Sequence, residues 1–311
     1  MDARIEIPTV HSYEAIRELA RQRTSAKKVR AVLVAPHESE TLPAFARASA
    51  QGFIDPTIIG DEKLFRQSAA GFGGDPSQVK VIDINQPDMA LRTAAKMAQS
   101  GEIDIIVQGR IEPDRLVSLL AANEAAFIPS GRVMSHIGIM KTSRYPKLLL
   151  ITDGLVHEQP DLATKVNLLG NLARAAKAVR LPDPRTAVVT AVEAIYPQMS
   201  ATTDGAVLAK MFDRGQIKGV RVDGPLSFDI AVDFIAAESK GIRNSIVAGQ
   251  ADAILASTRY VAQGVYQAMS LYCDCECGGV LVGGHVPVAA NFVSDSQDSR
   301  FNSILLACLM V

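Results

Sequence analysis

A chain of 311 residues with 48% hydrophobic side chains has material for one large α/β domain or two medium ones. Its 32 basic residues against 33 acidic ones leave a formal charge of −1, so nothing advertises a nucleic-acid or anionic-membrane partner. The lack of Trp and an aromatic content of 5% argue against base-stacking platforms or aromatic sugar-binding walls as the main activity.

The N-terminus, Met1-Asp2-Ala3-Arg4-Ile5-Glu6, shows no apolar signal core after a basic start. No apolar run reaches the roughly 18–20 residues a membrane span needs. Four cysteines do not make a secreted disulfide framework in a chain this long. A soluble, cytoplasmic protein is expected.

Strand-like runs alternate with helix-length segments. Val29 to Ala35, Pro56 to Gly60, Val79 to Ile84 and Ile103 to Val107 are apolar enough for buried strands. Between the last two, Asp88 to Ser100 can place Met89, Leu91, Ala95 and Met97 on one side of a helix. A second series follows with Val133 to Met140 and Leu148 to Thr152. The clearest helix is Asp161 to Leu181, where Leu162, Val166, Leu169, Leu172, Ala176 and Val179 recur at three- and four-residue steps after Pro160. Ala187 to Ala191, Gly219 to Val222, Ala253 to Ala256 and Gly279 to Gly283 complete the strands, and Ser303 to Val311 closes as a helix. Near-continuous apolar strands separated by helices predict parallel sheet covered on both faces. So many strands exceed one compact Rossmann sheet, and two α/β lobes facing a cleft are expected.

Ligands in such folds sit beyond the carboxyl ends of strands. There the chain places Gln108-Gly109-Arg110, Asp153-Gly154, Val192-Glu193 and Asp223-Gly224-Pro225. Glycine lets backbone approach an anion, but Gly and Asp also serve ordinary βα turns. Neither GxGxxG nor GxxxxGK[ST] occurs between a strand and a helix, and Gly71-Phe72-Gly73-Gly74 precedes a strand, so no standard nucleotide cradle is expected. His136 alternates with Met134 and Gly138 on one strand face, and it reads as a hydrogen-bonded structural residue or as a base. Adjacent Ser135 points to the opposite face and cannot pair with it as a nucleophile. Cys273, Cys275 and Cys277 alternate, which is not the C-x₂-C spacing of zinc sites, so packed or redox-sensitive thiols are expected and no metal.

From about Ile103 to the end, the chain resembles the phosphate acetyltransferase/phosphate butyryltransferase family, the butyryl branch above all. The resemblance is carried by Met134-Ser135-His136, Thr152-Asp153, Pro160-Asp161-Leu162, Ala191-Val192-Glu193 and Gly215-Gln216-Ile217-Lys218-Gly219. It continues through Val222-Asp223-Gly224-Pro225-Leu226, Val247-Ala248-Gly249, Gly278-Gly279, Asp295-Ser296 and Asn302-Ser303-Ile304. It implies two parallel-sheet α/β lobes around a cleft, related to the isocitrate/isopropylmalate dehydrogenase-like fold. The first lobe would hold residues 1–140 plus 275–311, and the second 141–274. It also implies a cytoplasmic homodimer that moves a short acyl group between coenzyme A and phosphate. Acyl-CoA and phosphate are then substrates, with no permanently bound cofactor. Together with the strand ends, it points to Asp295 as catalytic and to Gly109, Arg110, Ser135, His136, Asp223, Gly224, Pro225 and Ser294 as substrate-binding.

The chain also departs from the family. Where relatives show Ser-Arg, it has Phe292-Val293. Where they often show Pro-x-x-Glu-x-Gly-Asn, it has Ser257, Tyr260, Ala262 and Gln263, and a common Lys becomes Gln267. Gln108, His157, Tyr196 and Gln198 stand at other family-typical polar positions. A phosphate dianion wants charge-assisted donors, an Arg fork above all. Arg110, Arg132, Arg259, His157 and His285 are the available replacements. A different acyl-CoA reaction, or a non-catalytic CoA-binding or assembly paralogue, stays open beside phosphate acyl transfer.

Overall fold

The computed structural model describes residues 10–36, 40–68, 79–122 and 126–311. Gly71-Phe72-Gly73-Gly74 and the stretch Met1 to Glu6 lie outside the described residues. Among the described residues, eleven strands form one sheet. In chain order they are β1 (Val29–Val34), β2 (Ile54–Gly60), β3 (Lys80–Asp83), β4 (Ile105–Gln108), β5 (Ser135–Lys141) and β6 (Leu149–Thr152). Then come β7 (Arg185–Val189), β8 (Arg221–Leu226), β9 (Ala253–Ala256), β10 (Glu276–Val282) and β11 (Val288–Ala289). The helices are α1 (Tyr13–Thr24), α2 (Thr41–Ala50), α3 (Glu62–Ser68), α4 (Pro87–Gln99), α5 (Pro113–Ala121) and α6 (Leu162–Ala178). They continue with α7 (Ser200–Asp213), α8 (Phe228–Val232), α9 (Phe234–Ser239), α10 (Arg259–Tyr272) and α11 (Gln297–Leu309).

The strand order is β3-β2-β1-β4-β11-β10-β5-β6-β9-β7-β8. Two flanks are parallel, as the apolar runs predict: β3, β2, β1, β4 and β11 on one side, and β6, β9, β7 and β8 on the other. The seam between them differs from the expectation. β10 runs antiparallel to both β11 and β5, and β5 runs antiparallel to β6. The flanks are therefore joined edge to edge by backbone hydrogen bonds. An apolar run in a sheet covered on both faces does not encode its neighbour's direction, so sequence alone leaves this open.

Two apolar layers cover the sheet. One face packs α1, α2, α6, α7 and α11, with Ile137, Ile139, Phe45, Leu172 and Phe301 in its core. The other packs α4, α5, α8 and α10, with Leu116, Met140, Ile151 and Tyr266. Adjacent strand residues take opposite layers, so Leu33 serves the first and Val34 the second. Helix α6 forms where the three- and four-residue steps place it, capped by Asp161, whose carboxylate accepts the Thr164 N–H at 2.7 Å. Buried Lys165 on it reaches Asp204 of α7 at 2.6 Å. Helix α11 begins at Gln297, earlier than its apolar C-terminal half announces, because Ser296 caps it. No described helix is long and apolar enough to cross a membrane.

Candidate active site

A cleft of about 380 Å³ opens where ends of strands from both flanks meet. From the first flank come Glu112 and Asp114, which follow β4, and Phe292, Val293 and Ser294, which follow β11. From the second come Leu155, after β6, and Arg259, Gln263 and Gln267 of α10, after β9. The position agrees with the rule that α/β ligands bind beyond carboxyl strand ends.

The loop after β11 is a closed turn. The Phe292 N–H donates to Asp295 Oδ2 at 2.8 Å, and the Asp295 N–H donates back to the Phe292 carbonyl at 3.0 Å. Arg300, buried in the first turns of α11, clamps this loop. Its Nε donates to the Asp295 carbonyl at 3.2 Å, its Nη2 to the Phe292 carbonyl at 3.3 Å and its Nη1 to Thr41 Oγ1 at 2.9 Å. Asp295 is 3% exposed and stands behind Phe292 rather than on the cleft wall. The Tyr266 hydroxyl lies 3.4 Å from its Oδ2, and Oδ1 has no hydrogen-bond partner among the described residues. Burial pushes the Asp295 carboxyl up to about 6, against the Phe292 N–H bond, the Arg300 charge and the Tyr266 hydroxyl, which pull it down. A cation therefore does stand near Asp295. It arrives from the last helix, eight positions after Phe292.

Phe292, Tyr266 and His136 form an aromatic cluster. The His136 ring sits 5.5 Å from Phe292 and 6.0 Å from Tyr266, both edge-on, and Phe292 lies 5.1 Å from Tyr266. The strands beneath, β5 and β10, are cut away to admit these rings. A Cβ at Gly138 would come within 2.6 Å of Tyr266, and one at Gly279 within 2.5 Å of His136 Nε2. Full burial lowers the His136 imidazole to about 4, so it is neutral at pH 7 and offers no charge to an anion. Its Nδ1 has no partner among the described residues.

Asp153, which follows a cis peptide bond, has a structural role. Its Oδ1 accepts N–H bonds from His136, Leu155 and Val156 at 3.0–3.1 Å, and its Oδ2 accepts that of His157 at 3.0 Å. Burial raises this carboxyl, while the four backbone donors favour its charged form. The turn it organises carries Leu155 to the cleft. His157 belongs to the same turn, with Nε2 2.9 Å from the Met134 carbonyl.

The remaining sequence-derived positions are scattered. Ser135 is fully buried on the opposite face from His136, where the Asn171 amide donates to its hydroxyl at 2.6 Å. Gly109 and Arg110 are pinned at the end of β4, their N–H groups donating to the Val34 and Ala35 carbonyls at 3.0 and 2.8 Å. Gln108 is a latch between loops, donating to the Ile111 carbonyl and accepting the Asn291 N–H, both at 2.7 Å. Asp223, Gly224 and Pro225 sit on β8, the edge strand. There Asp223 accepts the Gly224 N–H at 2.8 Å and the Ser245 hydroxyl. Of the nine residues singled out from sequence, Ser294 alone lines the cleft, with Asp295 directly behind it.

Of the replacement cations, Arg259 lines the cleft, while Arg132 and His285 line a different cavity. Arg259 Nη2 meets the exposed Asp114 carboxylate at 2.6 Å, and its buried Nε has no partner among the described residues. Sequence reasoning named Arg259 only among several, because a lone Arg after a strand does not reveal which way it points. Among the described residues no three His, Cys, Asp or Glu side chains are grouped to hold a metal ion. The four cysteines are unpaired, and burial pushes the Cys275 thiol up to about 12, which suits packing rather than redox chemistry.

Residues 85–308 match the family described as phosphate acetyl/butaryl transferase. The phosphate butyryltransferase of Clostridium acetobutylicum is 32% identical over 289 residues, 93% of this chain and 95% of that one. The phosphate acetyltransferase of Thermotoga maritima is 30% identical over 296 residues, 95% of this chain and 98% of that one. Among solved structures, a branched-chain phosphotransacylase from Enterococcus faecalis superposes with a TM-score of 0.76 at 22% identity, covering 90% of this chain and 98% of that one. The EutD phosphotransacetylase from Staphylococcus aureus does so with a TM-score of 0.76 at 17% identity, covering 97% of this chain and all of that one. These two likenesses establish the fold.

Proposed function

The chain belongs to the phosphate acetyl/butaryl transferase family, and on that premise we propose how its cleft moves a short acyl group between coenzyme A and phosphate. One observation carries the reading. A cation with an unfilled donor, Arg259, and a carboxyl of raised pKa, Asp295, flank the same loop.

In the direction of acyl-CoA synthesis, Asp295 takes the proton of the coenzyme A thiol, and the thiolate attacks the acyl-phosphate carbonyl. The tetrahedral intermediate collapses, the thioester forms and phosphate leaves. A carboxyl held near 6 is a better base at neutral pH than an ordinary one and is still ionised there. Arg259 and the Ser294 hydroxyl hold the phosphoryl oxygens and the charge that develops on them. Phe292, Val293 and Leu155 give the acyl chain an apolar wall. Access of the thiol to Asp295 Oδ1 requires the Phe292 ring to turn aside.

The acyl chain, the lobe boundaries and the assembly are part of the same proposal. Lobes of residues 1–140 plus 275–311 and of 141–274 are supported by the antiparallel seam at β10 and β5. A homodimer is supported by exposed Phe234 and Ile235 on α9, 67% and 74% accessible. Acetyl-, propionyl- and butyryl-CoA are each mixed with phosphate and free thiol is followed over time. Phosphate-dependent release with at least one is expected, and none with any of the three sinks the reading. Calorimetry with coenzyme A then separates another CoA-thioester reaction from a chain that binds no CoA.

A further inference from the structure

Among the described residues a second cavity exceeds the cleft in volume. About 470 Å³ lies on the opposite face of the sheet, in the groove between α6 and α11. Its floor is the turn Val282 to Gly284 and the end of α11, and its rim carries Arg132, Arg174, Lys177 and His285. No Asp or Glu side chain lines it, and among the described residues none of the three fixed cations has a carboxylate within ion-pair distance. Val311 also lines the cavity, its main-chain oxygen met by Arg23.

Like charges gathered with no acidic side chain among them are costly unless an anion joins them. Arg174 registers that cost: burial first, then the Arg132 charge, lowers its pKa. Arg174 is also held in place. It donates to Asn171 Oδ1, and the Asn171 amide is itself fixed on the Val133 carbonyl at 2.8 Å and Ser135 Oγ at 2.6 Å. A guanidinium set by a buried amide is pre-organised for a ligand rather than left to solvent. Ser135 adjoins His136, so the amide that holds Arg174 is anchored on the strand that carries His136.

We infer that this cavity is a second anion site, for a ligand bearing a di- or triphosphate group. Three fixed cations and a histidine exceed what one orthophosphate satisfies, and the volume lies in the range of small-molecule sites. The inference is independent of the chemistry in the cleft.

Inorganic pyrophosphate is titrated by calorimetry at low ionic strength into the full chain, into Arg174→Met/Lys177→Met and into Arg259→Gln. Wild type and Arg259→Gln are expected to bind alike, and the double variant at least tenfold more weakly, since charge-assisted contacts dominate such a site. Its phosphate-dependent thiol release is expected to stay within about twofold of wild type. No heat at millimolar pyrophosphate, equal binding by the double variant, or loss of binding on Arg259→Gln alone each overturns the assignment. Should the double variant fail to fold by circular dichroism, Arg132→Met and His285→Asn carry the same test. Comparing pyrophosphate with ATP then separates a site for the phosphates alone, where affinities match, from one that also reads the nucleoside. Weaker binding of both than of orthophosphate refutes the polyphosphate class.

Discussion

Asp295→Asn should make this protein more stable at neutral pH while removing its base. The carboxyl ordinarily titrates at 3.8 and is pushed up to about 6 in the fold by burial. Below pH 3.8 it is protonated in both folded and unfolded chains and contributes nothing. Between 3.8 and 6 the folded chain keeps a proton that the unfolded chain has released, so stability falls as pH rises. Above 6 the full cost applies, on the order of 3 kcal/mol at about 1.4 kcal/mol per decade. Asparagine keeps an oxygen for the Phe292 N–H but buries an amide where Oδ1 has no partner, at a cost of about 1 kcal/mol or more at every pH. The net gain at pH 7.5 is therefore about 2 kcal/mol. For a chain of 311 residues the usual entropy per residue converts 1 kcal/mol into roughly 1.5 °C. Melting curves of both proteins between pH 4 and 7.5 are the assay. The difference in Tm, variant minus wild type, should climb by about 4 °C across that range. Acyl transfer should fall by about 10²–10⁴ in the same variant, and wild-type activity should decline as pH drops through about 6. A Tm difference that is flat with pH refutes the buried ionised carboxylate, and retained turnover refutes its role as base.

Arg259→Gln should lower kcat/KM for phosphate by about 10²–10³, whereas Asp114→Asn, which frees Arg259 from its partner, should lower the KM for phosphate severalfold. Initial rates at varied phosphate check both. Phe292→Ala removes the ring that covers His136 and Tyr266, costing about 3–5 kcal/mol by denaturant titration. The deeper cleft should raise the ratio of butyryl- to acetyl-CoA activity. Gly279→Ala puts a Cβ 2.5 Å from His136 Nε2 and 2.6 Å from the Ala290 carbonyl. Backbone cannot give way there, so a loss of about 2 kcal/mol or more is expected. Unchanged melting would show that the sheet relaxes around His136.

The local sequence determined much of this protein. Near-continuous apolar runs placed β1, β4, β6 and β9, and the stepped leucines placed α6, because strand-length apolar runs and helix periodicity are properties of neighbouring residues. The same reading separated Ser135 from His136, since adjacent strand positions face opposite layers. The family likeness was legible too. Strand β11, two residues long, carried no periodic signal. The antiparallel seam was unreadable because pairing direction is set by distant partners. So was the fate of the charges. Arg300 clamps the loop of Asp295 from α11, Gln108 spends its amide on two loops, and Arg259 alone of the replacement cations reaches the cleft. A charged side chain acts over a few ångströms, and which charges come that close is decided by packing between distant segments, such as those of Arg300 and Thr41, 259 positions apart.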